Sequence, residues 1–199
     1  MKNEPTTSHQ IAKVISVIGH PFVLLALTIL VAAASRESPA RAAGIGAIAI
    51  LATIFPMLFI IRQKVKAGKW SDHDVSDAAE RRNFYPLMMA VLGFSLVVFY
   101  LLGFPRPLLV GMIISLAILF VAMVINRWSK ISLHLTFAVY FAVSLLAVNY
   151  WMSGGLLALA IAVGWSRIKL ERHNPAQVLS GALLGAIAGI FLLKANGFF

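Results

Sequence analysis

The chain predicts an all-α fold, a polytopic helical bundle crossing a membrane about six to seven times. Three observations point there. Of 199 residues, 60% are hydrophobic and only 12% are charged, with a mean hydropathy of +0.89. The apolar residues gather into runs of about 20, the length that spans a bilayer. Polar residues are confined to the loops between those runs, and no repeat or low-complexity segment stands out. Residues 1–199 therefore read as a single helical membrane domain.

Seven apolar segments follow in order, at roughly 14–34, 43–61, 84–103, 107–126, 131–150, 154–168 and 175–194. The first is preceded by polar "MKNEPTTSHQIAK", which lacks the apolar core and small-residue cleavage site of a secretory signal. The first run is expected to remain as a span, and His20-Pro21 within it reads as the start of a helix with no chemistry. The sixth run is the shortest and reads as a short span or a partly re-entrant segment. Between the second and third lies the long polar loop "RQKVKAGKWSDHDVSDAAERRNF". The last run holds Gly181, Gly185 and Gly189 at four-residue spacing. That stripe suits either close packing on a neighbouring helix or a homodimer.

Cysteine is absent, which excludes a disulfide framework and a thiolate metal site. Net charge is +10, but the basic residues are scattered over short loops, which argues against nucleic-acid binding. If every segment crosses, the N-terminus, the long loop, "NRWSK" and "SRIKLERHNPAQ" share one side. Thirteen Lys and Arg fall there, Lys2 among them, against four on the other. Setting aside the seven from Arg81 to Arg172, which an anionic substrate would also explain, leaves six against four. The positive-inside rule then makes the clustered side cytoplasmic. A bacterial inner membrane is the expected setting.

Three polar clusters on that side invite a chemical reading. In "SRIKLERHNPAQ", Asn174 and Pro175 are a preferred N-cap and first helical residue, and Gln177 sits where it can reach back in a capping box. His173 thus immediately precedes a helix N-terminus, a place that attracts anions and favours a neutral imidazole. Arg167, Lys169 and Arg172 add positive charge. The blander reading is a set of cationic side chains snorkelling at span ends. The second cluster is "NRWSKISLHLTF". There Lys130, Ser132 and His134 open the fifth segment, either in an extended approach or with Lys130 and His134 on one face of a helix already begun. A histidine one turn inside an apolar span is costly unless paired. The third cluster, "WSDHDVSDAAERR", gathers Asp72, Asp74, Asp77 and Glu80 beside Arg81 and Arg82. A short amphipathic helix would pair Asp77 with Arg81, with Ser71 or Ser76 as cap. Otherwise the acids hold a divalent metal on a diphosphate, orient phosphate-gripping arginines, or simply cap helices in a solvated loop.

Ser166-Arg167, five residues, then His173 resembles the third motif of the type 2 phosphatidic acid phosphatase superfamily, and Ser132-Leu133-His134 resembles its Ser-Gly-His second motif. The resemblance covers roughly residues 62–195 and leaves the first two spans peripheral. It implies a metal-independent phosphatase acting on a lipid phosphate or diphosphate, such as phosphatidate, phosphatidylglycerophosphate or a polyprenyl diphosphate. It implies that His173 is the nucleophile and His134 the acid–base catalyst. Arg167 and Ser132 would bind phosphoryl oxygens, helped by Lys130 and by Arg81 or Arg82 in place of a missing first motif. Gln177 stands where that family has the aspartate that orients the nucleophilic histidine, and Leu133 replaces a glycine. No cofactor is implied.

Two other readings compete. "DHDVSDAAERRNFYPL" resembles the first Asp-rich motif of the intramembrane aromatic prenyltransferase family, which would make Asp72, Asp74 and Asp77 ligands of Mg²⁺. A second such motif is missing, since Glu171 is the one acidic residue after Glu80. Leu133 and Gln177 also suit a non-catalytic lipid-binding or transport protein on a phosphatase scaffold.

Overall fold

A backbone that crosses a bilayer must satisfy its own N–H and C=O groups, and helices do so within one segment. The computed structural model describes residues 6–75, 77 and 79–199, and it is all-helical, with no strand among the described residues. Lys2, Ser76 and Ala78 lie outside them. In chain order the elements are α1 (Thr7–Ile18), α2 (Pro21–Ala34), α3 (Pro39–Ala49), a π-helical stretch (Ile50–Ile54) and α4 (Phe55–Lys66). Then come α5 (Arg81–Leu101), α6 (Arg106–Ile125), α7 (Leu133–Ser144) with a 3₁₀ turn (Leu145–Ala147), α8 (Tyr150–Lys169) and α9 (Pro175–Ala195).

Five helical stretches among the described residues are long and apolar enough to cross a bilayer: Pro39–Lys66, Arg81–Leu101, Arg106–Ile125, Tyr150–Lys169 and Pro175–Ala195. The pair α1 and α2, broken at Gly19 and His20, makes a sixth if it counts as one span. Side chains such as Leu101, Ile161 and Phe191 stay exposed on these helices, as lipid-facing residues do. This is an integral membrane protein. The expectation for the sixth segment is corrected: α8 is a full span of 20 residues. The short segment is the fifth, where Leu133–Ala147 runs for 12 α-helical residues and three more in the 3₁₀ turn. At about 1.5 Å per residue it reaches only about 22 Å, against a hydrocarbon core of about 30 Å.

The contacts divide the chain into two units, one comprising the chain up to Leu25 with Ile131–Leu193, the other Ala26–Lys130 with Lys194–Phe199. In the second unit, Pro56 explains the π-helical stretch. Proline has no N–H to offer Ala52 C=O, and the ladder widens there. Ser95 Oγ, fully buried on α5, lies 2.6 Å from that carbonyl and 2.8 Å from Val91 C=O, so the orphaned acceptor is served from a neighbouring helix.

In the first unit α8 packs against both α7 and α1. The glycine stripe of α9 lies on α7. A Cβ at Gly181 would sit 2.7 Å from Ser132 O, and one at Gly185 would collide with the Thr136 carbonyl. Close packing inside the chain, the first of the two uses expected for the stripe, is what these contacts display. The same contacts bring the start of α9 to the start of α7.

Candidate active site

The turn between α8 and α9 converts a sequence spacing into proximity. Leu170 is the C-cap of α8, and Glu171 takes the left-handed conformation at φ +55°. Arg172 N–H then donates to Arg167 C=O (3.0 Å) and Glu171 N–H to Ile168 C=O (2.9 Å), which together form a Schellman motif. A non-glycine residue in that position costs about 1 kcal/mol. His173 N–H also donates to Arg167 C=O, at 3.2 Å. The arginine backbone therefore anchors the histidine. Both side chains are buried, Arg167 completely.

The capping box expected at Asn174 and Gln177 forms. Gln177 N–H donates to Asn174 Oδ1 at 2.9 Å, and Asn174 N–H reaches back to Gln177 Oε1 at 3.4 Å. Gln177 Oε1 also lies 3.1 Å from His173 Nδ1. A backbone N–H can only donate, so the atom that faces Asn174 must be the amide oxygen, and it cannot donate to the ring. His173 Nδ1 is therefore the protonated nitrogen, and in the neutral imidazole the lone pair sits on Nε2. One glutamine oxygen caps the helix and sets the histidine tautomer.

Ser132 is the N-cap of α7, with extended backbone, so of the two approaches open to "SKISLH" the extended one forms. Its N–H donates to Gln177 C=O at 3.2 Å, which ties the start of α7 to the first turn of α9. An N-cap serine ordinarily turns its hydroxyl to the first turn of its own helix. This one does not. Ser132 Oγ is wholly buried and has no hydrogen-bond partner among the described residues. Two residues on, His134 is buried in the first turn of α7, and its ring meets that of His20 edge-on, with centroids 5.0 Å apart.

His20 and Ser16 are the residues that sequence reasoning missed. His20 does start a helix, as expected, since its Nδ1 accepts from Phe22 N–H at 3.3 Å. Its ring also borders His134, which the sequence left unsuspected. Ser16, on α1, accepts a hydrogen bond from Arg167 Nη1 at 2.7 Å. No motif marks either residue. The one available signal is polarity on a helix otherwise suited to an apolar neighbour. Ser16 and His20, both ahead of residue 62, thus lie against Arg167 and His134.

The acid-rich loop belongs to the second unit and has another character. No short helix precedes Arg81 among the described residues, because α5 begins there. Asp77 Oδ1 accepts from Ala79 N–H (2.7 Å) and Glu80 N–H (3.1 Å). Asp72 Oδ1 accepts from Asp74 N–H at 2.8 Å. Glu80 accepts from both Ser71 N–H and Ser71 Oγ, so Ser71 is a donor to an acid rather than a cap. Arg81 is buried and donates from Nε to Val75 C=O at 2.9 Å, holding a residue whose φ is +47°. Arg82 is exposed and Lys130 half-buried. Among the described residues, then, the structure links Ser132, His134, Arg167, His173 and Gln177 in one unit, while Arg81, Arg82, Lys130 and the aspartates lie in the other.

Comparison with protein-family models, with curated proteins and with solved structures finds no match to this chain in any of the three. The class defined by fold and site is accordingly the coarse one: an integral membrane protein of apolar helices with a buried cluster of histidine, arginine and serine.

Proposed function

We propose that this protein hydrolyses a lipid phosphate or polyprenyl diphosphate through a phosphohistidine intermediate. The observation that supports it most is the linkage of His173 to Arg167, to Gln177 and, through Gln177, to Ser132. In this reading His173 Nε2 attacks phosphorus, the P–N bond forms, and the bond to the lipid oxygen breaks. His134 gives its proton to that oxygen. It then takes one from water, whose oxygen attacks phosphorus and releases phosphate as the P–N bond breaks. Arg167, the Ser132 hydroxyl and the N-terminal end of α9 stabilise the charge on the transferring group. The expected setting is a bacterial inner membrane with the lipid tail in the bilayer.

The lack of a second acidic cluster, Glu171 being the one acidic residue after Glu80, favours this reading over Mg²⁺-dependent prenyl transfer. The test is phosphate release from a panel of lipid phosphates by protein in detergent with EDTA. Release that survives the chelator and falls by about a thousandfold or more in His173→Ala is expected. Release that requires Mg²⁺ would return attention to the aspartates. No release from any lipid, with or without Mg²⁺, would sink the hydrolase.

A further inference from the structure

Arg167 is fully buried and carries a full positive charge with five N–H donors. An arginine so placed is useful to an anion only if its planar fork is held in one orientation, because a misaimed guanidinium loses its paired hydrogen bonds. The backbone of Arg167 is held by its own turn, as described above. Something else must hold the side chain, which extends beyond four rotatable bonds.

Ser16 is in position to do so. Its hydroxyl oxygen accepts from Arg167 Nη1 at 2.7 Å, and it is itself buried on α1. The helix that carries it is brought close by Gly19, where any Cβ would collide with Val163 of α8. Val163 lies one turn before Arg167 on that helix. The close approach at Gly19 and the hydrogen bond at Ser16 therefore act on the same stretch of α8. One turn after Ser16, His20 places its ring against His134. The end of α1 and the break that follows it thus meet both Arg167 and His134.

We infer that the C-terminal turn of α1 is part of the anion site, with Ser16 as a positioning residue that aims the Arg167 guanidinium at a phosphoryl group. The inference deepens the proposed phosphoryl-transfer reading and rests on it for the identity of the anion. It does not require that the anion be hydrolysed.

The experiment measures two quantities on the full chain in detergent: inorganic phosphate binding, read from tryptophan fluorescence with Trp165 two residues from Arg167, and hydrolysis of dioleoyl phosphatidate. Wild type is compared with Ser16→Ala and Ser16→Thr, with thermal unfolding recorded for each. Loss of the hydroxyl should weaken phosphate binding, or raise KM more than it lowers kcat, by about ten- to a hundredfold, the worth of one charge-assisted hydrogen bond. Threonine, which keeps the hydroxyl, should stay within about threefold of wild type. That pattern supports the inference even if phosphatidate is not cleaved, in which case hydrolysis alone falls. Equal phosphate affinity in wild type and Ser16→Ala overturns it. So does an equal loss in both variants that follows their unfolding temperatures, since that marks a packing role. A wild-type protein that neither binds phosphate nor cleaves the lipid overturns both readings together.

Discussion

The α8–α9 turn and the acid-rich loop are both dense in charge, yet their polar atoms are engaged differently. In the loop, Asp72, Asp77 and Glu80 each accept from donors within ten residues along the chain. These bonds are local, and they shape the approach to α5. Around the turn, Arg167 reaches Ser16 on a distant helix, and Gln177 meets Ser132. Ser132 keeps a buried hydroxyl without a partner among the described residues. Burial makes an unmet polar group expensive, so such a group points to a bound polar ligand more strongly than any number of satisfied acids. Charge density did not separate the two regions. The destination of each hydrogen bond did.

This contrast can be broken most sharply at His173, whose removal should abolish phosphate release as described. The next largest effect is expected at Gln177. Gln177→Leu removes the acceptor that puts the proton on Nδ1, so the Nε2 lone pair is no longer enforced. The turnover rate should fall by about a hundredfold, with a smaller change in KM. An unchanged rate would mean that the tautomer is set elsewhere. Helix contact gives the third test. Gly185→Ala drives a Cβ into the Thr136 carbonyl and should cost about 2–3 kcal/mol, seen as a lower unfolding temperature. A neutral result would show that α9 can slide on α7. The smallest effect belongs to the loop. Asp77→Ala loses a cap to two backbone donors and should cost about 1 kcal/mol, with phosphate release per folded molecule within about threefold of wild type. A collapse of activity there, with stability kept, would make the loop a site after all.

Much of this was legible beforehand because it is local. Hydrophobic run lengths located the five full spans to within about five residues, but not the break in the first run or the shortness of the fifth, and Asn174, Pro175 and Gln177 gave the start of α9 because capping acts over three residues. His173 beside that start followed directly. The exchange of lengths between the fifth and sixth segments was not legible. A run of apolar residues does not say where its helix will stop, and α7 turns into a 3₁₀ turn at Leu145 inside "SLLAVNY".

The sequence by itself determined a helical membrane protein, the order of its helices and the residues of its polar turns. Periodicity and capping need only neighbours along the chain. Tertiary structure alone decided that α1 lies on α8, that Ser16 meets Arg167, that His20 borders His134 and that the α9 glycines face α7. Helices that are apolar on nearly every side carry little information about which face meets which partner. In such a chain the choice is made by close packing at a few small residues and by the need of buried polar atoms for one another.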